Sequence, residues 1–586
     1  MAAMTLPALP EQTRTGSDLI APDCRGLNFW TLDRSVRDLL SLHLDKPVLA
    51  HFEPHFAAFG GVAGGRLDEL AMQADKRVPV LHHRDRFGRD VDWVEYHPSW
   101  REMEEIGFAS LGLHAMTHKA GVLGWPAPVT PLVKYAFQYL FAQSEFALLC
   151  PISVTDTSAV LIEKYGDASV RERFLPRMLT QDTSQLLKGA QFMTEKAGGS
   201  DVSGNALTAR RAGDHWELWG DKWFCSCVDH EVVLLLARCE GAPAGNDGLS
   251  LFVMPRRLDD GAPNRYRIVR LKDKLGSRSM AAGETIMEGA VAYLLGEPNR
   301  GLKQMMDQVN LSRLSHGFRA AGMMRRCLNE ALQVARHRRT FGRTLIEHPM
   351  ARRQLLKLML PTEQVLSIAV AAAVALTRND TAQLRLLTPL LKYRASRDNV
   401  TVATGAMEMR GGNGYIEDWV NAKLVRDAHL GLLWEGTSSV NALDIVRRAA
   451  GRERAHEALA ASLHGELKSA QVPGQFRTRL AQLVDRAVDF VEAVAKRADA
   501  EASCRRAASS LYHVTSAALM AAEGARLGAQ GGDARRLLLA RLVLDHRLDN
   551  TDPFRLQDPD WENAAAAALL DDRPLTLEKA TGLLAE

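Results

Sequence analysis

The 586-residue chain has few cysteines, seven in all, and few aromatic residues, at 6%. Seven scattered thiols, an odd number, exclude a disulfide framework and point to a reducing compartment. Cys225 and Cys227 form a C-x-C in a strand-like run with no second pair nearby, so their spacing does not suit a metal. Charge of one sign is also lacking. The formal net charge of +3 is too small to mark a nucleic-acid or membrane surface by itself. The longest apolar run, residues 365–377, falls short of the roughly 20 residues a bilayer needs, so a buried helix is expected there. The first residues have no basic start leading into an apolar run, so no secretory signal is expected. No G-x-G-x-x-G follows a strand-like segment, which disfavours a nicotinamide-binding domain. A cytoplasmic protein without a membrane partner is the expectation.

The composition that remains is ordinary for a globular protein, with 46% hydrophobic and 24% charged residues. Its length suggests roughly three to four domains. Residues 1–28 read as a flexible N-terminus and 29–188 as a helical domain punctuated by Pro47, Pro54, Pro126, Pro128 and Pro131. Cys150-Pro151 and Gly166-Asp167 read as helix ends. From 189 to 297 the texture changes to short runs of β-branched and aromatic residues separated by turn signals, which predicts an antiparallel β domain. A 3.6-residue stripe through Leu314, Phe318, Ala321, Met324, Leu328, Leu332 and Ala335 then opens a helical bundle over 298–450. Pro361 and Pro389 are expected to kink or interrupt its later helices. An extra helical domain follows over 451–547, and 548–586 reads as a loosely attached acidic tail. The fold class is therefore mainly α with a central antiparallel β domain.

Four stretches carry candidate chemistry. The 405–440 region breaks at Gly411-Gly412-Asn413-Gly414 and again at Gly436, directly after Trp434-Glu435. A carboxylate at a turn beside apolar surface suits a general base. Gly198-Gly199, flanked by Thr194 and Ser200, allows close backbone approach to an anionic or amide-rich ligand, and is equally the composition of an ordinary turn. Residues 220–226, GDKWFCS, place Trp223 and Phe224 on opposite faces of a strand, so only one of them meets a given ligand. Residues 336–343, RHRRTFGR, either oppose a helix dipole or clamp a pyrophosphate.

Taken together, in this order and spacing, these stretches resemble the acyl-CoA dehydrogenase family. The signatures are Met193-Thr194-Glu195 to Gly198-Gly199-Ser200-Asp201, Arg338-Arg339-Thr340-Phe341-Gly342, Gly411-Gly412-Asn413-Gly414-Tyr415 and Trp434-Glu435-Gly436-Thr437. LCPISVT at 149–155, MTEK, KWFCS and RLKDKLGSRS at 270–279 are closer still to the AidB-like branch, the adaptive response to alkylation. The resemblance implies an N-terminal helical domain, a β domain and a C-terminal four-helix bundle, with FAD between them in a homotetramer. The extra helical domain after 450 fits the same branch.

The resemblance also implies roles for individual residues. Glu435 matches the base, and Arg313 a residue beside the base and thioester. Some members carry the base just before that arginine, where this chain has Ser312, which cannot serve. Met193, Thr194, Gly199, Ser200, Phe224, Cys225, Ser226, Trp434 and Thr437 match positions around the flavin. Arg338, Phe341, Glu408 and Gly412 match positions that reach a neighbouring subunit's FAD or its adenine side. Ser200, Arg313, Trp434 and Gly436 match positions near the substrate. Glu408 and Pro349 stand where the family usually has Gln, and Asn310 where many members have Asp, so adenine and CoA contacts are expected to differ.

The implied activity is α,β-dehydrogenation of an acyl-CoA. Trp434 and Phe224 form a bulky wall that suggests a short or branched chain. The acceptor is an electron-transfer flavoprotein, or another acceptor such as oxygen. The AidB-like branch implies an alternative: a flavoprotein of the alkylation response that binds double-stranded DNA and has weak isovaleryl-CoA dehydrogenase activity. Residues 451–586 hold 18 Lys+Arg against 20 Asp+Glu. Basic clusters such as Arg505-Arg506, Arg535-Arg536 and Arg541 either gather on one face for a duplex or are solvated helix surface.

Overall fold

Side-chain caps and prolines set the helix starts of the N-terminal region in the computed structural model, which describes residues 20–549, 554 and 559–585. Asn28 accepts the N–H groups of Trp30 and Thr31 to open α1 (Phe29–Leu32), and Asp33 accepts that of Val36 to open α2 (Arg34–His43). The chain continues through α3 (Lys46–Val62), α4 (Asp68–Asp75), α5 (Pro98–Glu104), α6 (Pro131–Ala142), α7 (Leu149–Tyr165) and α8 (Ala168–Met178). Every residue of α6 from Leu132 to Ala142 is buried, which makes it the central helix of this region.

Several expectations need correction here. Cys150-Pro151 begins α7 and ends nothing, because proline costs no hydrogen bond in a first turn. Pro54 lies inside α3 and marks no connection. A hairpin of β1 (Val80–Arg84) and β2 (Asp90–Glu95) was not anticipated, since its strands are mostly exposed and polar. Residues 20–28 are not flexible either. Cys24 N–H donates to Glu330, and Arg410 donates to the carbonyls of Ala21 and Pro22. Residues 1–19 of that predicted segment lie outside the described residues.

The β domain has seven strands: β3 (Gly189–Phe192), β4 (Thr208–Ala212), β5 (His215–Ser226), β6 (Val232–Cys239), β7 (Leu249–Pro255), β8 (Tyr266–Leu271) and β9 (Ala282–Leu295). The ladder runs β4–β5–β9–β7–β6 and closes back onto β4, with β3 beside β6 and β8 beside β9. Its pairings are antiparallel except β3–β6 and β4–β6, which are parallel. β6 is buried on both faces. Val233, Leu235 and Ala237 join the main core, while Val232, Leu234 and Leu236 pack with Leu161, Ile162 and Phe174 of α7 and α8. That double burial is why its sequence reads as a continuous apolar run.

The bundle consists of α9 (Gly301–His337), α10 (Pro349–Thr377), α11 (Thr381–Arg410) and α12 (Val420–Leu430), followed by α13 (Ser438–Leu443). α9, with 37 residues, is about 55 Å long and packs on α6 and α7 as well as on its bundle partners. α10 and α11 run unbroken through Pro361 and Pro389, against expectation, because packing on both sides outweighs one missing hydrogen bond each. α10 is long and apolar enough to cross a bilayer by length and composition, yet it is a core helix of the bundle.

The C-terminal region adds α14 (Ala455–Ser469), α15 (Gly474–Lys496), α16 (Cys504–Ala529), α17 (Arg536–Val543), α18 (Pro559–Leu570) and α19 (Leu577–Ala585). A buried ionic network joins it to the rest of the protein. Glu363 of α10 lies between Arg325 of α9 and Arg536 of α17, while Arg536 also pairs with Glu523 of α16 and Arg325 with Asp33. The described part of the acidic tail is not loose. The alanine run gives α18 a small apolar face, and Ala565, Ala566, Leu569, Leu575 and Leu584 are buried. Arg336 and Arg353 of the bundle pair with Asp572 and Glu562.

This packing also absorbs most of the anticipated basic clusters. Arg536 is buried, Arg535 donates to the carbonyls of Leu569, Asp571 and Arg573, and Arg541 stacks on Trp561.

Candidate active site

The turn between α12 and α13 holds Glu435 in a conformation few non-glycine residues adopt, with φ of +53°, followed by Gly436 at +88°. Such backbone persists only when its surroundings over-determine it. Here two buried cations do so. Arg313 of α9 donates through Nε to the Glu435 carbonyl (3.1 Å) and through Nη1 to Asp444 (2.9 Å). Lys392 of α11 donates to the Gly431 carbonyl (2.7 Å) and, at 3.4 Å, to the Gly436 carbonyl, so it ties both ends of the segment. Burial pushes the Lys392 ammonium down to about 7, against the pull of Glu435 upward.

The carboxylate itself is half-buried, and Ser312 donates to its Oε1 at 2.8 Å. The serine at the position where some members of the resembled family carry the base thus orients the Glu435 carboxylate. Trp434 donates from Nε1 to His316 Nδ1 (3.1 Å), and His316 Nε2 meets Ser396 Oγ (3.1 Å), which Lys392 also reaches. Burial, then the nearby Lys392 and Arg319 charges, hold the His316 imidazole well below its usual range, so it is the neutral acceptor that Trp434 needs. The Glu435 N–H donates to no group among the described residues, which leaves it available to a ligand carbonyl.

A second group sits on the β domain. Glu195 is buried and accepts from Lys222 Nζ (2.8 Å) and from the N–H groups of Ala206 and Leu207. Trp223 N–H donates to the Thr194 carbonyl. These bonds fasten the Met193–Ser200 loop to β5. A Cβ on Gly199 would stand 2.6 Å from Thr194 Oγ1, so any larger residue there would displace that hydroxyl.

The expected opposition of Trp223 and Phe224 does not hold. The β5–β9 register shifts between Lys222 and Cys225, a bulge, and the Lys272 ammonium lies over both rings, 3.3 and 5.2 Å from their centroids. Phe224 is left 57% exposed, an open aromatic face beside the glycine loop. The Cys225 side chain points inward to Thr285 Oγ1, so only its backbone faces the loop side.

The two groups are neighbours. Cys227, just after Ser226, meets Cys150 at the start of α7, and Cys150 lies beside Arg319, whose guanidinium stacks on Trp434. An open aromatic face, a glycine cradle and free hydroxyls on Thr194, Ser200 and Ser226 fit the isoalloxazine ring and the phosphates of a flavin nucleotide. Thr437 starts α13 next to Gly436 without a side-chain cap bond, which leaves its hydroxyl open to that side.

The third group stands apart. Arg338 follows the end of α9, 25 residues beyond Arg313, about 37 Å along the helix. Its Nη1 lies 3.4 Å from the Arg410 carbonyl, beside Gly411 and Gly412, and Glu408 and Gly412 are exposed there. Phe341, at the tip of the β10 (Arg339–Thr340) and β11 (Arg343–Thr344) hairpin, is 97% exposed at a φ of +49°. These residues do not reach their own chain's Glu435.

Sequence reasoning passed over Lys392, His316, Arg319, the Glu195–Lys222 pair and the orienting role of Ser312. A signal existed for the cations: Lys392 and Arg319 each interrupt an apolar helix face that burial should keep free of charge.

Comparison with known proteins places the whole chain from residue 20 to 450 in one family. Three family profiles match: the adaptive response protein AidB N-terminal domain over residues 20–183, the acyl-CoA dehydrogenase middle domain over 190–290, and the acyl-CoA dehydrogenase C-terminal domain over 299–450. Acyl-CoA dehydrogenase family member 11 of Caenorhabditis elegans is 31% identical over 443 residues, covering 72% of this chain and 70% of its own. The putative acyl-CoA dehydrogenase AidB of Escherichia coli is 32% identical over 395 residues, covering 65% and 70%. Among solved structures, C. elegans ACDH-11 in complex with C11-CoA superposes with a TM-score of 0.83 at 25% identity, covering 98% of both chains.

Proposed function

Since this chain belongs to the acyl-CoA dehydrogenase family, on its AidB-like branch, we propose that Glu435 is the general base of its flavin-dependent acyl-CoA dehydrogenation. The observation that carries this is the clamped Trp434–Glu435–Gly436 turn, with its free N–H, linked through Arg319, Cys150 and Cys227 to the β domain that holds the open aromatic and glycine cradle. FAD, when bound, supplies the acceptor for the two electrons that leave the substrate's β carbon. Met193, Thr194, Gly199, Ser200, Phe224, Ser226 and the Cys225 backbone would hold it on one side, with Trp434 and Thr437 on the other.

The chain's own residues do the rest. The unpaired Glu435 N–H receives the thioester carbonyl and stabilises the developing enolate. Ser312 holds the carboxylate in one rotamer, aimed at the α carbon. Glu435 takes the α proton, and Arg313 and Lys392 keep its backbone still while it does so. Trp434, packed on Phe146 with ring centroids 5.5 Å apart, closes the acyl end and favours a short or branched chain. Arg338, Phe341, Glu408 and Gly412 serve the FAD of a neighbouring copy, which their distance from Glu435 supports, in a homotetramer. An electron-transfer flavoprotein in the cytoplasm is the acceptor of this scheme.

The duplex-binding alternative draws little from the C-terminal arginines. Arg535, Arg536 and Arg541 serve the packing of α16 to α19, which leaves Arg505-Arg506 as its remaining cluster. Anaerobic titration of the holoenzyme with acyl-CoAs, read at the flavin absorbance, tests the function. Bleaching by a thioester and formation of its enoyl product are expected. A flavin that dithionite reduces and no acyl-CoA bleaches would overturn the reading.

A further inference from the structure

A basic residue in the last turn of a helix ordinarily turns to solvent, where it opposes the helix dipole. Arg410, the last residue of α11, turns inward and is 5% exposed. Its Nη2 donates to Glu330 of α9 (2.7 Å) and to the Pro22 carbonyl (3.0 Å), and its Nη1 donates to the Ala21 carbonyl (3.1 Å). Glu330 also accepts the Cys24 N–H and Arg326 Nε, so one buried carboxylate holds the arginine and the N-terminal segment together. That segment is a strap laid against the end of α11. It is fastened again where the Gly26 N–H donates to the Gly64 carbonyl (2.7 Å) and where Asn28 Nδ2 donates to the Ala57 carbonyl (2.8 Å).

The same arginine controls a loop. Residues 411–419 connect Arg410 to the start of α12, and the Arg410 guanidinium carbon lies 4.4 Å from the ring centroid of Trp419. One side chain therefore meets the loop at both of its ends. The Arg410 carbonyl accepts from Arg338 Nη1 at 3.4 Å. Gly411 takes a φ of +74°, and Gly414 lies so close to α11 that a Cβ there would clash with the Met407 carbonyl. Between these fixed points Gly412 and Asn413 stay exposed. So open a loop has little packing of its own, and its shape is set from beneath.

We propose that Arg410 is a positioning residue for the adenine side of FAD, and that residues 21–24 are the anchor it works against. Its side chain grips the strap, Glu330 and Trp419. That grip fixes the Gly411–Gly414 loop, and the Arg338 head group beside it, in the arrangement that a neighbouring copy's FAD needs. The proposal rests on the reading that Arg338 and Gly412 meet that FAD. It adds to them a residue and a chain segment that touch no flavin. Arginine suits the task because one guanidinium supplies donors for two carbonyls and a carboxylate while its flat face stacks on an indole; an ammonium has no such face.

FMN separates this role from plain stability, because it carries the isoalloxazine ring and one phosphate but no adenine. The affinities of the apoprotein for FAD and FMN are measured by flavin fluorescence, at concentrations where light scattering shows one assembly state for every variant. Arg410→Met should weaken FAD binding by about tenfold or more and leave FMN within about twofold of wild type. Arg410→Lys should restore part of the difference. In Gly64→Ala the new Cβ meets the Leu27 carbonyl, which lifts the strap without touching Arg410, and FAD alone should again bind more weakly. Equal losses of FAD and FMN in either variant overturn the proposal, because a purely structural arginine or strap has no reason to spare FMN. Wild-type FAD affinity in either variant overturns it as well. Arg338→Met checks the reading beneath. A selective loss of FAD there with none in Arg410→Met sinks the proposal alone, whereas an unchanged FAD-over-FMN preference in Arg338→Met overturns the adenine-side assignment and the proposal with it.

Discussion

Glu435 sits in a turn whose backbone it would not choose alone, and the side chains that impose it are the ones a mutation reveals. Ser312→Ala removes the one hydrogen bond that the described residues make to the Glu435 carboxylate, an interaction worth about 1.5–3 kcal/mol when one partner is charged. Flavin reduction by acyl-CoA should slow by about tenfold or more, with FAD content unchanged, in rapid-mixing measurements. Lys392→Met leaves the Gly431 carbonyl without its donor, while Gly436 keeps the one from Asn441. A loss of similar size is expected, again with full FAD, and a variant that reduces at the wild-type rate would show that the turn needs no clamp. The sequence marked Glu435 as the candidate base because a carboxylate at a turn beside apolar surface suits that role, and because three other motifs stood in order with it. Its partners were not legible. Ser312 carries no motif, and the reach of Lys392 and Arg319 depends on helix packing that periodicity alone does not give.

The β5 bulge and the 193–200 loop act as one element, because Trp223 N–H holds the Thr194 carbonyl and Lys222 holds Glu195. Gly199→Val should push the loop off the Thr194 hydroxyl. The expected outcome is FAD affinity weaker by at least about tenfold, measured by flavin retention on dilution, with little change in the far-ultraviolet dichroism. Most strands and bundle helices were readable from period and turn signals, as were the break at Gly411-Gly414 and the end at Gly166-Asp167. What escaped followed from burial. The β1–β2 hairpin stays mostly exposed and sits among helices, so the brief alternation of Val91 and Trp93 with Asp90 and Asp92 was passed over; the Trp223–Phe224 opposition was undone by a bulge no local sequence announces, and the parallel β3–β6 and β4–β6 pairs join segments far apart in the chain. Pro361 and Pro389 failed to break their helices for the same reason, since tertiary packing overrode local preference.

At the scale of the whole protein, the C-terminal helices are held by buried ion pairs as well as by apolar area. Burial alone would raise the Glu363 carboxyl, but Arg325 and Arg536 hold it down to about 2, against an ordinary value of 4.5. A lowered folded-state value means that the unfolded chain binds the proton first. This stabilisation, on the order of 3 kcal/mol, is therefore complete above pH 4.5 and is lost as pH falls from there toward 2. Glu363→Gln should flatten acid unfolding in that window, followed by tryptophan fluorescence. Arg536→Met leaves Glu363 and Glu523 short of a partner and should destabilise by about 3–5 kcal/mol. The described part of the tail that composition alone marked as loose is part of this body, because an alanine run that looks featureless in sequence is a close-packing face in the fold. The central claim, that Glu435 removes the α proton in a flavin dehydrogenase, is tested most directly by rapid anaerobic mixing of wild type and Glu435→Gln with a thioester that bleaches the wild type. The variant should keep its FAD and its reduction by dithionite, yet show no bleaching by the thioester. Bleaching of Glu435→Gln at the wild-type rate would contradict the account.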